Sequence, residues 1–381
     1  MRNIILNHPN KLVFGNDSIN NFVEDVLAKG LKKLLVVTAS PIFPLIQPAI
    51  DRLISAKIDV IVDDGVLTEP TIKSFLKSLN HAENFEIDSI VGIGGGSVLD
   101  VAKLIAALLG NSQSIYDVLG IGKLNLRNNY LACLPTTSGT GSEVSPNAIL
   151  LDESDNLKKA AISPYLVPDA VYVDPKLTLT VPSHVTAATG MDALTHCIEA
   201  YANKFAHPVI DIYAIEGIKL IASNLRRAVY DGNDIEAREK LSLGSLFGGI
   251  CLGPVNTAAV HALSYPLGGE FHIPHGLSNA LLLPHVIKFN INAAVSRYAD
   301  IAIALGAERG KEEYETAEKA VILLKKLSQD INIPTRLSEV NISEESVNKI
   351  AEMGMTVTRL LKNNVKDITL NDAKEIIKSA L

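Results

Sequence analysis

Between Leu12 and Asp174, short continuous apolar runs alternate with longer stretches of helical character. Leu34–Thr38, Asp59–Asp63 and Ser89–Ile93 read as strands, with helices over Pro44–Lys57 and Thr71–Asn84 between them. Strands that are apolar throughout and each followed by a helix predict a parallel sheet covered on both faces. Leu131–Pro135 reads as a further strand, stopped by its proline. From Leu177 the strand pattern ends, and Ala, Leu, Lys and Glu dominate. Helices are predicted over 186–203, 208–226, 234–251, 257–267, 277–291, 293–305, 312–329, 343–362 and 370–380. The breaks between them fall at Pro208, Gly232, Pro254, Pro266, Gly276 and Pro334. The expected architecture is an α/β domain over 1–178 and an all-helical domain over 179–381. No internal repeat or low-complexity segment is visible.

Composition narrows the function classes. At 381 residues, 47% hydrophobic and 20% charged, the chain is ordinary globular material with room for two cores. A net charge of -7 without a Lys/Arg cluster argues against a nucleic-acid partner. The N-terminus lacks the apolar run and small-residue cleavage site of a signal peptide. The most apolar stretches, 212–225 and 241–252, are interrupted by charge or glycine within the length a bilayer crossing needs. Three widely spaced cysteines, Cys133, Cys197 and Cys251, fit reduced thiols better than a disulfide framework. A soluble, cytoplasmic protein is expected.

Two polar clusters interrupt the α/β half. Ser89–Ile93 runs into Gly92-Ile-Gly-Gly-Gly-Ser97 and then a helix over 98–109. Consecutive glycines let the backbone approach a pyrophosphate, and the helix N-terminus offers unpaired N–H groups and partial positive charge. Ser97 reads as the N-cap. A bare strand-to-helix turn explains one glycine, seldom three. The second cluster, Thr136-Thr-Ser-Gly-Thr-Gly-Ser-Glu143, reads as a loop around the ribose, pyrophosphate or nicotinamide of a dinucleotide, the plainer alternative being a surface loop.

The helical half carries the metal chemistry. Asp192 and His196 stand four apart in a segment of good helix formers, so both side chains share one face. His261 and His275 follow in Gly/Pro-flanked contexts, in a chain with nine histidines. Taken singly, each is better explained as a core or surface residue. Together, one carboxylate and three imidazoles make an oxygen/nitrogen set for a divalent first-row metal. Glu199, three after His196, either orients a ligand imidazole or is a plain helix-surface glutamate, the latter being the simpler reading. The two sites are expected to face one another across a cleft between domains.

These motifs in this order resemble the iron-dependent (group III) alcohol dehydrogenases, of the wider dehydroquinate synthase-like fold. The resemblance spans essentially the whole chain and rests on Gly94-Gly-Gly-Ser97 with Asp100, Pro135-Thr-Thr-Ser-Gly-Thr140 with Ser142-Glu143, Gly190-Met-Asp-Ala-Leu-Thr-His196, His261-Ala-Leu-Ser-Tyr-Pro-Leu-Gly-Gly269 and Pro274-His-Gly276. It implies a Rossmann-like N-terminal domain, an all-helical C-terminal domain, and NAD(P)-linked interconversion of alcohols with aldehydes or ketones. It also implies a homodimer or larger assembly. Carried over by residue, it implies Asp192, His196, His261 and His275 as ligands of Fe2+ or another divalent metal. Gly94, Gly95, Gly96 and Ser97 would hold the pyrophosphate, with Asp100 in the same motif. Thr136, Thr137 and Thr140 would line the remaining cofactor path, and Lys159 would lie near its nicotinamide end.

The chain departs from the family pattern at three points. Many members carry an aspartate after the second strand, on the adenosine ribose; here the sequence reads Thr38-Ala39-Ser40. Losing that carboxylate predicts that NADP is accepted, with Ser40 available to a 2′-phosphate and Glu69 opposing it. Many members have a histidine four residues after the third ligand, implicated in proton relay; here it is Tyr265. A phenol titrates about three units above imidazole, so His272 is an alternative carrier, an exposed loop histidine being the equal alternative. The metal is the third point: an Asp/His3 set does not select iron by affinity, so zinc or nickel is an alternative occupant. Two rival functions remain: reduction or transhydrogenation of hydroxy and oxo acids, as in maleylacetate reductase, and a dehydroquinate synthase-like lyase.

Overall fold

The computed structural model describes residues 2–381, which pack as two compact units. One comprises 7–137 and 141–180; the other comprises 181–381 with 2–6 and Ser138–Thr140.

The first unit runs β1 (Lys11–Phe14), α1 (Ser18–Lys29), β2 (Lys33–Val37), α2 (Phe43–Ser55), β3 (Asp59–Asp63), α3 (Ile72–Ala82), β4 (Ser89–Gly94) and α4 (Gly96–Leu108). A short helix α5 (Ile115–Val118) and strand β5 (Gly120–Ile121) follow, then β6 (Tyr130–Pro135), β7 (Asn147–Asp152), β8 (Leu157–Ile162) and β9 (Ala170–Val173). The main sheet has the order β1-β9-β6-β4-β2-β3, and every pairing in it is parallel. β4 lies inside the sheet and all six of its residues are buried, which is why it reads as a continuous apolar run. Its neighbours are β2, reached by an earlier connection, and β6, reached by a later one. The chain leaves β2 toward β3 on one side and leaves β4 toward β6 on the other, so the direction of winding switches between these two strands, at whose carboxyl ends open α/β sheets bind ligands. Phe22, Ile46, Leu53, Val91, Leu134 and Tyr172 belong to the core on one face of this sheet.

The second unit is helical: α6 (Ser183–Tyr201), α7 (Pro208–Tyr230), α8 (Ile235–Leu252), α9 (Ala259–Gly269), α10 (His275–Asn290), α11 (Val295–Ala304), α12 (Glu313–Asp330), α13 (Val347–Met355), α14 (Thr358–Leu361) and α15 (Leu370–Ser379). One apolar core runs through it from Met191 and Leu194 to Leu263, Leu282, Leu324 and Ile377. Among the described residues no helix is long and apolar enough to cross a membrane.

The sequence patterns place most elements but not all their ends. β1, α1, β9 and the small sheet β5-β8-β7 were not anticipated. Pro266 and Gly276, expected to break helices, lie inside α9 and α10. The helix expected over 343–362 is divided into a 3-10 turn, α13 and α14. α4 begins at Gly96 with Gly95 as its N-cap, so Ser97 is the second helical residue and not the cap.

Candidate functional site

The side chains with metal-binding chemistry lie on α6, α9 and α10. Asp192 and His196 share one face of α6, one turn apart, and both are buried. His261 is on α9, wholly enclosed, and His275 is the first residue of α10. A Cβ on Gly276 would lie 2.2 Å from the Ala188 carbonyl oxygen and 3.2 Å from the Asp192 Cβ. Only glycine lets the start of α10 approach α6 this closely, and that approach delivers His275 beside Asp192.

The donor atoms converge. Asp192 Oδ1 lies 3.7 Å from His196 Nε2, 3.6 Å from His261 Nε2 and 3.6 Å from His275 Nε2. The donor atoms of Asp192, His261 and His275 all fall within 4.8 Å of one another. The His196 and His261 rings stack at 4.8 Å between centroids, and His275 meets His261 edge-on at 5.2 Å.

Glu199 fixes the chemistry of this cluster. It is 5% exposed; one carboxylate oxygen lies 2.6 Å from His261 Nδ1 and the other accepts the Val260 N–H at 2.6 Å. A proton on Nδ1, shared with the carboxylate, leaves the Nε2 lone pair facing Asp192, as a metal ligand requires. Glu199 is thus a buried orienting carboxylate, and the helix-surface reading of it does not hold. Asn279, one turn beyond His275, donates from Nδ2 to Asp192 Oδ1 at 2.7 Å and is fully buried.

Electrostatics agree with the geometry. Burial alone raises the pKa of Asp192, but the three imidazoles outweigh it and hold the carboxyl well below its usual range. Burial pushes His196 down to about 4, keeping its ring neutral. Burial also opposes charge on His261, yet hydrogen bonds to Asp192 and Glu199 outweigh it and raise the ring to about 9. Two carboxylates thus draw positive charge into a buried site. Among the described residues neither forms an ion pair with lysine or arginine. A divalent cation would supply that charge, so the donor set fits a metal.

In the α/β unit the glycine turn follows β4. Gly95 caps α4 with backbone only, since no side chain bonds the first turn. The N–H groups of that turn therefore remain available to an anion, at the positive end of the helix. A Cβ on Gly94 would meet Val98 at 2.6 Å, and one on Gly95 would lie 3.4 Å from the Thr137 hydroxyl. The turn is thus bare backbone with a hydroxyl beside it. The Thr136 hydroxyl is buried and has no protein partner. This cradle fits the pyrophosphate of a dinucleotide.

Comparison with known proteins gives the family. Residues 9–175 match the family described as iron-containing alcohol dehydrogenase, and residues 186–381 match the Fe-containing alcohol dehydrogenase family, C-terminal. The chain belongs to the iron-containing alcohol dehydrogenases. It is 37% identical to long-chain-alcohol dehydrogenase 1 of Geobacillus thermodenitrificans, over 96% of this chain and 94% of that protein. It is also 37% identical to 1,3-propanediol dehydrogenase of Citrobacter freundii, over 94% and 95% of the two chains. A crystal structure of 1,3-propanediol oxidoreductase superposes with a TM-score of 0.95 at 34% identity, and an alcohol dehydrogenase from Oenococcus oeni with 0.96 at 30%, each over the full length of both chains. As a member of this family the enzyme is a metal-dependent, NAD(P)-linked alcohol dehydrogenase.

The remaining candidates of the dehydrogenase sort by environment. Tyr265 is buried, its ring 6.0 Å from that of His275. His272 is exposed, in a left-handed turn with φ 56° ahead of α10. Asp100 is engaged away from the turn: it accepts the Ser142 hydroxyl at 2.5 Å and the Ile149 N–H at 3.0 Å. Lys159 is held by Asp152 at 2.6 Å and Asp155 at 2.8 Å. The buried ammonium of that strand is instead Lys158, which pairs with Glu69, so the repulsion expected of Glu69 is offset. Thr140 belongs to the helical unit with Ser138 and Gly139.

Ala39 and Ser40 lie just past the end of β2, where Ala39 bridges Gly65 and the Ser40 N–H meets the Asp64 carbonyl. They supply no carboxylate, but the neighbouring strand does. Asp63, Asp64 and Glu69 line a pocket of about 450 Å3 together with Lys77 and His81. One Asp63 oxygen accepts the Gly65 N–H at 3.2 Å and the other is buried with no protein partner. Sequence reading missed these aspartates because it looked for the carboxylate after β2; their signal was Asp63-Asp64-Gly65 at the end of β3.

Proposed function

We propose that this enzyme interconverts a small alcohol and its aldehyde or ketone, with Asp192, His196, His261 and His275 holding a divalent cation and the turn at Gly94–Ser97 holding the dinucleotide pyrophosphate. The observation that carries the reading is the approach of three imidazole Nε2 atoms to one carboxylate oxygen, at 3.6–3.7 Å. A metal held by those four side chains would supply Lewis acidity, and a dinucleotide held at the turn would supply the hydride chemistry. The chain's own residues do the rest. Glu199 sets the tautomer and angle of His261, and Asp192 supplies the buried negative charge. Tyr265, packed on His275, stands where a proton can be held near the ligands, whereas the exposure of His272 argues against it in that role. Tyr265→Phe tests this by slowing carbonyl reduction by about tenfold or more with metal content unchanged. A Phe variant as fast as the parent removes Tyr265 from the mechanism.

The metal is iron or another divalent ion of similar preference for nitrogen and oxygen, such as zinc. Two features bear on the dinucleotide: Ala39 removes the usual repulsion toward a 2′-phosphate, while Asp63 and Asp64 restore acceptors for ribose hydroxyls from the next strand. The enzyme therefore favours NAD and accepts NADP at lower kcat/KM; no NADP-dependent rate would refute the second half. The relatives' names, among them propanediol, methanol and long-chain-alcohol dehydrogenases, support a simple alcohol over a hydroxy acid. Metal-depleted protein reloaded with Fe2+, Zn2+ or Ni2+ and assayed on an alcohol and aldehyde panel tests the whole reading. Turnover independent of metal would overturn it. Exposed Ile5, Phe205, Val209 and Ile212 on the helical unit support a homodimer, measurable by light scattering. Three free, buried cysteines support a reducing, cytoplasmic setting.

A further inference from the structure

Lys103 has no place in the reaction described above, yet it is fully buried on α4, two turns from the glycine turn. Its ammonium has three N–H donors. They meet three backbone carbonyls, those of Ser142 at 2.8 Å, Ser145 at 2.8 Å and Asn147 at 2.5 Å, with the Ser142 hydroxyl at 3.3 Å. All three carbonyls belong to the segment that leads from the hydroxyl-rich loop into β7. Asp100, three residues earlier on the same helix, grips the same segment with both oxygens, through Ser142 Oγ and the Ile149 N–H.

We propose that Asp100 and Lys103 form a clamp that holds the segment 136–149 in its cofactor-binding shape, making α4 the common anchor of both halves of the dinucleotide cradle. The first turn of α4 presents N–H groups to the pyrophosphate, and its second fixes the loop that brings Thr137 beside Gly95 and the Thr136 N–H onto the Gly94 carbonyl. The carbonyls of Ser142, Ser145 and Asn147 face inward, where without an ammonium they lose a partner; an unmade bond of that kind is expensive when buried. This explains why a lysine is tolerated in an interior position that its charge would otherwise forbid. It also assigns Lys103 a positioning role and leaves it no free lone pair or donor for catalysis. The inference rests on the dinucleotide reading given above.

Lys103→Met and Ser142→Ala test it, the second removing only the hydroxyl that touches both clamp residues. Three quantities are measured on the metal-loaded enzyme: amide hydrogen exchange over 136–149 and over α6, dissociation constants for NADH and NADPH by nicotinamide fluorescence, and KM against kcat. Lys103→Met is expected to speed exchange over 136–149 but not over α6. It should also weaken dinucleotide binding by about tenfold or more, the scale of one lost charged hydrogen bond. KM for the dinucleotide rises accordingly, while kcat at saturation and metal content hold. Ser142→Ala shows the same pattern, smaller, and decides the matter if Lys103→Met fails to fold. Dinucleotide affinity unchanged in folded variants, or exchange raised equally in α6, overturns the clamp. A parent enzyme that binds neither dinucleotide overturns the cofactor reading first and this inference with it.

Discussion

The glycine turn after β4 and the donor cluster on α6, α9 and α10 are built from different parts of the chain. The turn after β4 offers backbone N–H groups, and the side chains contribute mainly by being absent, as at Gly94 and Gly95. In the cluster the functional groups are side chains from three helices, brought to 3.6–3.7 Å of one oxygen and backed by Glu199 and Asn279. A local backbone device needs a strand, a turn and a helix in sequence. A side-chain cage needs a fold to close around it. Damage should therefore spread differently in the two regions.

Four changes separate them. The largest effect is expected from His261→Ala, which leaves Asp192 and Glu199 buried without the ring between them. Metal content should fall to background, and kcat/KM by on the order of three decades or more, since metal polarisation is worth several kcal/mol. Dinucleotide binding by fluorescence should survive, and its loss would erase the contrast between the regions. Glu199→Gln keeps the shape of the orienting group and removes its charge. Metal affinity should drop about 10–100-fold in a competition titration with a chelator; an unchanged affinity would return Glu199 to a structural role.

Gly94→Ala places a methyl 2.6 Å from Val98. Overpacking of this kind costs about 1–3 kcal/mol, visible in urea unfolding, and the displaced turn should raise the dinucleotide KM with metal content intact. The smallest effect concerns Glu143, whose buried carboxyl is pushed up to about 7, burial being the main cause. Its folded pKa is above its unfolded value, so the folded state binds the extra proton between those two values. Stability is therefore full below the unfolded pKa and declines as pH rises through about 7. Glu143→Gln should raise the midpoint of thermal unfolding at pH 8, by an amount equivalent to about 1–3 kcal/mol, and leave it alone at pH 4. Equal midpoints at pH 8 would refute the buried-carboxyl account.

How much could be read in advance follows the same division. β2, β4 and β6 were legible because nearly all their residues are buried in apolar runs, and β3, a partly buried edge strand, because its centre Val60-Ile-Val62 is β-branched. β7 and β8 were not, since Leu157–Ile162 carries two lysines and is only partly buried. Pro266 suggested a helix end, but α9 is buried along all eleven residues, and packing overrides a missing N–H. Ser97 suggested a cap by residue type, while the helix starts one residue earlier on bare glycine backbone. Asp100 was expected with the glycine turn and Lys159 near the nicotinamide end of the cofactor, yet their atoms are taken by Ser142 and Ile149 and by Asp152 and Asp155.

By itself the sequence determined whatever depends on neighbours along the chain. That covers the glycine turn after β4, the pairing of Asp192 with His196 on one helical face, and the change from alternating strands and helices to helices alone. Only the tertiary structure decided which groups meet across long separations. It gave Glu199 to His261, 62 residues away, seated His275 through the close approach of Gly276 to α6, and bound Lys103 to carbonyls 39–44 residues on. The reason is physical. Backbone periodicity fixes local direction within a turn or two, whereas a buried charge takes whichever partner the packed helices bring to it.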